Sequence, residues 1–326
     1  MTLHIASTGV TLLKGLLTTP HGTPGIGDAL ADEIEHTDPA RLLTRYGAID
    51  GPSANALLTG CLSPHGTQPP AQPQPQLREE IERLLPVIAP AHWPSTVSAE
   101  LDTFTRAPAD QRILSQDDVA VLLATDTAEG LTAALWNAIA LAGGQLSRVL
   151  YLPDPAQIPH APRGRVLLVR VPDLDARDEQ GFARAMRGLG VLGRTLATRI
   201  ASPRDELCRF HLSGGYKATV PYLIGLAEGM RSLPGAGPVE AHVLHESTQG
   251  DAIRVPLRRI HPSIVDQLIK SFNGRSVYTG RLGSDELEGY AYDTREHRGS
   301  VTEWRLTPFG EGLFALFGRP AEGLGA

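Results

Sequence analysis

Residues 118–127 read Asp-Val-Ala-Val-Leu-Leu-Ala-Thr-Asp-Thr. The apolar run has no polar alternation, so it describes a strand buried on both faces, as in a parallel sheet covered by helices. A polar cluster closes it, and Glu129-Gly130 leads into a helix that runs to Leu141. Further short strands are expected at Leu3–Ala6, Val149–Leu152, Val166–Val171, Arg209–Leu212 and Ala241–His245. Helical patterns fill Leu77–Ile88 and Glu179–Ile200. Alternating strands and helices predict an α/β fold with a parallel sheet wrapped on both faces.

Composition permits this and excludes other classes. The 326 residues are 41% hydrophobic and 20% charged, ordinary values for a globular chain. A net charge of −6 gives no overall basic signal for nucleic acid. Cys61 and Cys208 cannot build a disulfide framework or a zinc site, and a reducing cytoplasm is expected. No apolar run reaches the roughly 18 residues of a membrane span, and the first residues lack the basic-then-apolar order of a signal peptide. Residues 63–76, rich in Pro and Gln, read as an extended surface loop inserted in a domain.

Open α/β sheets bind ligands at the carboxyl ends of their strands. Three such ends are polar. The first is Ser7-Thr8-Gly9-Val10-Thr11, and the second is Thr125-Asp126-Thr127, preceded in the chain by Ser98-Ala99-Glu100. The third, Ser213-Gly214-Gly215-Tyr216-Lys217, follows an apolar strand and opens a helix near Tyr216, with Pro221 close to its first turn. Free amides and the helix dipole favour an anion there, and Lys217 adds a full positive charge. Only three lysines (Lys14, Lys217, Lys270) occur in this arginine-rich chain, so a compact point charge is favoured at that spot. The spacing is neither that of the nucleoside-triphosphate loop nor that of the dinucleotide loop. Each segment also has a plainer use, as a helix cap or a tight packing turn.

The turn resembles the Thr-Gly-Gly-[Phe/Tyr]-Lys-x-x-x-Pro-Tyr signature of CARF domains, with Ser213 in place of threonine. Residues 7–13 and 98–127 resemble the same family in the same order. The resemblance covers residues 1 to about 253. It implies a Rossmann-like sensor of cyclic oligoadenylate in type III CRISPR defence, acting as a cytoplasmic homodimer. Cyclic tetra-adenylate is the implied allosteric activator, with no other cofactor and no metal. The ligand-site residues implied are Thr8, Gly9, Thr11, Ser98, Thr125, Asp126, Thr127, Ser213, Gly214, Gly215, Tyr216 and Lys217.

Residues 254–326 differ in character. They hold 10 basic and nine acidic residues, a charge of +1 against −7 for the rest. A helix is expected at Pro262–Phe272, then strands at Leu287–Thr294, Val301–Thr307 and Leu313–Gly318, joined by polar turns at 295–299 and 308–312. That order resembles the RelE family of ribosome-dependent mRNA endonucleases, a small α+β fold. The resemblance implies metal-independent cleavage of mRNA on the ribosome. Arg295, Arg298, Arg305 and Arg319 are candidates to offset phosphorane charge, with Tyr290, Tyr292 and His297 for proton transfer or stacking. Leu306-Thr307-Pro308-Phe309-Gly310 also resembles the sequence that follows the wing of a winged helix. On that alternative the chain is a ligand-responsive DNA-binding regulator. Cleavage of the ring by the sensor site, through Lys217 and Thr11, is a further activity compatible with either.

Overall fold

A computed structural model of the chain describes residues 1–23, 26–62, 75–88, 98–106, 113–160, 162–175, 178–200, 206–215, 217–244, 251–298 and 301–318, without the side chains of 87–88, 295–298 and 301–302. Most of the Pro/Gln tract (63–74), Tyr216 and Arg319 therefore lie outside the described residues.

Strand β1 (Thr2–Ser7) enters a short π-helical turn (Leu13–Leu17) and helices α1 (Asp28–Thr37), α2 (Leu42–Arg45), α3 (Gly51–Leu62), α4 (Pro75–Ile88) and α5 (Ala99–Arg106). Then come β2 (Val119–Ala124), α6 (Ala128–Leu141), β3 (Val149–Leu152), β4 (Val166–Arg170), α7 (Glu179–Arg199), β5 (Leu207–His211), α8 (Val220–Ser232), β6 (Val239–Val243) and β7 (Ile253–Val255). The remainder is α9 (Pro262–Phe272), β8 (Val277–Thr279), β9 (Tyr292–Arg298), β10 (Val301–Leu306) and α10 (Pro308–Phe317).

The first seven strands form one sheet in the order β3-β4-β2-β1-β5-β6-β7. It is parallel except for β7, which runs antiparallel to β6 at one edge. Every residue of β2 is buried, as its continuous apolar sequence requires. Side chains alternate across the sheet. Ala120, Leu122, Ala124 and Leu168 pack under α6 on one face, while Leu3, Ile5, Val121 and Val169 meet α7 and α8 on the other. The chain winds from β1 to β2 on one side and starts β5 on the other, so the topological switch falls between β1 and β5.

The C-terminal part departs from expectation in several places: the strand expected from Leu287 starts only at Tyr292, β8 adds a strand that was not expected, and the turn expected at 308–312 opens α10. Leu313–Gly318 is not a strand but the end of α10. Thr307 caps that helix by accepting from Gly310 N at 3.0 Å, with Pro308 at the first helical positions. Residues 295–298, expected as a turn, continue β9, whose pairing with β10 extends to Arg298↔Val301. The sheet has three antiparallel strands in the order β8-β10-β9. The expected boundary after residue 253 falls inside β7, which completes the first sheet.

The tail is docked onto the α/β unit. Helix α10 lies along α7 and α8. A β-carbon on Gly190 of α7 would overlap the carbonyl oxygen of Gly312, and one on Gly225 of α8 would overlap the Phe309 ring. Glycine at these points allows the helices to approach. Glu228 of α8 is 3% exposed and accepts from Arg258 N (3.0 Å), Nε (3.0 Å) and Nη2 (2.9 Å), and from Tyr290 Oη (3.0 Å). Burial pushes the Glu228 carboxyl up, but these bonds outweigh it and hold the group below the usual carboxylate range.

Candidate ligand site at the β1/β5 switch

The ends of β1 and β5 meet because the two strands pair in register from Thr2↔Leu207 to Ala6↔His211. Beyond them, Ser7 Oγ donates to the Gly214 carbonyl at 2.8 Å. A β-carbon on Gly9 would stand only 3.0 Å from Gly215 N, so the two loops are in contact. Gly215 has φ +90°, a conformation that favours glycine, and Ser7 fills the space a β-carbon would need. Sequence segments some 200 residues apart thus make one surface.

Glu100 sits beneath this junction, 1% exposed. Its Oε1 accepts from Gly9 N at 2.6 Å and from Gly215 N at 3.2 Å. Its Oε2 accepts from Thr11 Oγ1 at 3.2 Å and Ser98 Oγ at 2.6 Å. Ser98, itself fully buried, also lies 2.7 Å from Asn137 Oδ1. Gly9, Thr11, Ser98 and Gly215 are therefore brought together, with Gly214 packed against the same carboxylate. Thr11 and Lys217 are exposed. A short 3₁₀ turn, Lys217–Thr219, leads into α8, with Pro221 in its first turn as expected.

Other expected site residues serve the scaffold. Thr8 is fully buried and donates through both N and Oγ1 to the Leu123 carbonyl at 2.9 Å, joining β1 to β2. Ser213 Oγ accepts from Leu244 N at 2.6 Å. Thr127 caps α6 by accepting from Gly130 N at 2.9 Å, and Thr125 lies against it. Asp126 is turned to Arg170 in a two-bond pair (2.7 and 2.9 Å) and accepts from Asp173 N at 2.9 Å.

Three residues absent from the expected site lie within or beneath it. Glu100 is one. His4 and His211 are the others, buried side by side with Nδ1 and Nε2 3.0 Å apart and Phe104 stacked 4.0 Å from His211. Burial pushes both imidazoles below the usual histidine range, His211 well below. In the sequence Glu100 closes the Ser98-Ala99-Glu100 segment. The histidines had no local signal.

In the tail, Tyr292 is 1% exposed and donates from Oη to the Ser284 carbonyl at 2.6 Å. Burial, with the nearby Glu288 and Asp285 charges, pushes its hydroxyl up to about 12, so it is a core residue. Tyr290 is committed to Glu228. Arg305 is half-buried in a cleft of about 260 Å³ between α7 and the tail, with Arg184, Arg187 and Ser276. Arg295, His297 and Arg298 belong to β9 by position, in the half that pairs with the start of β10. No family model matches the chain, and no curated protein matches it. Among the described residues no helix is long and apolar enough to cross a membrane.

Proposed function

We propose that the α/β unit is a cyclic oligoadenylate sensor of the CARF kind, serving type III CRISPR defence with cyclic tetra-adenylate as ligand. One observation carries this reading. From the segments that resemble the family, 7–13, 98–127 and 210–223, the residues Gly9, Thr11, Ser98, Glu100 and Gly215 converge at the carboxyl ends of β1 and β5, around the sheet's topological switch. Lys217 is exposed and has no partner among the described residues, so its charge is available to a phosphate. A ring with two-fold symmetry suits a homodimer that offers the same loops twice.

Helix α8 couples site to output in this proposal. Its N-terminus follows Lys217, and its later residues Gly225 and Glu228 hold the tail. A ligand that pulls on the first turn acts on a helix to which Phe309, Arg258 and Tyr290 are fixed. For the output we favour a nucleic-acid-binding regulator. A three-stranded antiparallel sheet in the order β8-β10-β9, with a capped helix after the last strand, fits a wing. Arg295, His297 and Arg298 fall by sequence position in the half of β9 that pairs with the start of β10, and a two-stranded ribbon fits the DNA major groove. Ribosome-dependent mRNA cleavage is the second reading, favoured by Arg305 in a cleft that Arg184 and Arg187 also line, the first paired with Asp173 and the second with Glu311.

Calorimetry with cyclic tetra-adenylate tests the sensor: saturable binding is expected, and no binding of any cyclic oligoadenylate refutes it. The loaded protein should then retard promoter DNA in a gel. Intact DNA mobility together with new mRNA ends on translating ribosomes would instead establish the endonuclease reading.

A further inference from the structure

A glycine turn at a helix start offers its amides to an anion. Here they are already taken. Gly9 N and Gly215 N, one from each loop, both point at Glu100 Oε1, and the carboxylate is closed off from solvent. A β-carbon on Gly214 would overlap the Glu100 side chain, so the turn is shaped around that group. Ser98 and Thr11 complete the shell on Oε2.

We infer that Glu100 is the resident anion of this cradle and determines which part of a ligand the cradle accepts. The inference rests on the sensor reading for the identity of the ligand. Two consequences follow from hydrogen-bond chemistry. A second anion cannot share the Gly9 and Gly215 amides, because like charges at that distance repel strongly in a water-poor site. The exposed Thr11 hydroxyl has one proton, which it gives to Glu100, so outward it can only accept. Phosphate oxygens are acceptors as well. The ligand therefore places a donor against Thr11, a ribose hydroxyl or an adenine amino group, while its phosphates go to Lys217. The Gly9 and Gly215 amides position the loops and do not bind phosphate.

The test uses the full chain and two variants. Glu100→Ala empties the cradle, and formate should refill it. Glu100→Gln keeps an oxygen for the two amides, removes the charge, and can donate to Thr11, freeing that hydroxyl to face a phosphate. Melting temperatures are compared in sodium formate and in sodium chloride at equal ionic strength. Formate should raise the melting temperature of Glu100→Ala by several degrees and leave wild type and Glu100→Gln unmoved. If Glu100→Ala does not fold alone, the readout is its recovery on refolding: recovery only with formate supports the inference. An equal response of all three proteins, or no recovery in either salt, overturns it. With cyclic tetra-adenylate, Glu100→Gln should bind about tenfold tighter than wild type, the order expected for removing a unit charge about 10 Å from a phosphate at an effective dielectric of about 20. Equal or weaker binding overturns the specificity role. Absence of binding by both proteins refutes the sensor reading instead, and the formate result still decides whether Glu100 fills an anion cradle.

Discussion

Removing the Arg258 side chain should loosen the tail from the α/β unit in a measurable way. Arg258→Ala deletes the bonds from Nε and Nη2 to Glu228 and the guanidinium that lies 4.6 Å from the Tyr290 ring centre. The Arg258 N–H and Tyr290 Oη still serve the carboxylate, so it is not stranded. A bond to a charged group contributes about 1.5–3 kcal/mol. The Arg258 side chain is 66% exposed and screened by solvent, which places the loss near the lower end, about 1.5 kcal/mol. For a chain of 326 residues that is about 2 °C of melting temperature. A double-mutant cycle with Glu228→Gln, followed by thermal melting, isolates the pair. The folded-state pKa of Glu228 is depressed, so its contribution is present above the unfolded value of about 4.3 and fades as pH falls through the folded value. The gap between wild type and Arg258→Ala should thus be full at pH 7 and shrink below about pH 4. Additive effects at pH 7, within about 0.5 kcal/mol, would refute the clamp.

Four further outcomes are expected. Lys217→Ala should weaken cyclic tetra-adenylate binding about 10–200-fold, from the loss of a charged hydrogen bond of about 1.5–3 kcal/mol; calorimetry with unchanged affinity removes Lys217 from the site. Gly190→Ala should cost about 1–3 kcal/mol by forcing α10 away from α7, read as denaturant stability and as faster proteolysis of the tail. His4 and His211 are held neutral by burial, so protons bind the unfolded chain first. Stability should fall as pH drops below about 6.5, by up to about 1.4 kcal/mol per unit for each histidine, and a flat profile between pH 7 and 5 contradicts their burial. Cys208, buried and pushed up to about 12, should react with thiol reagents only on unfolding; rapid labelling of the native protein contradicts its placement.

The centre of the sheet was legible because β2 and all but the last residue of β4 are apolar, whereas β5 and β6 carry Arg209, His211, Glu240 and His242. Val119–Ala124 and Val166–Arg170 leave no polar face to mislead, and Pro262–Phe272 carries a proline start and an asparagine stop. The tail was misread where charge and hydrophobicity pointed the wrong way. Leu313-Phe-Ala-Leu-Phe is apolar enough for a buried strand or a helix, and Thr307-Pro308 held the cue that decides. Arg295–Arg298 reads as a turn, yet it finishes one arm of a hairpin. At the site, local motifs located the loops but not what lies between them. Glu100 meets Gly215 across 115 residues and His4 meets His211 across 207, contacts set by strand order that no local pattern records. The same strand order turns Asp126 toward Arg170 rather than into the site.

The central claim is that the β1/β5 switch holds a cyclic oligoadenylate. The most direct measurement is calorimetric titration of the full-length protein with cyclic tetra-adenylate, run beside the linear tetra-adenylate and the Lys217→Ala variant. The account predicts saturable binding of the ring by wild type, weaker binding of the linear chain, and a marked loss in Lys217→Ala. No binding of the cyclic ligand, or equal binding by wild type and variant, would contradict it.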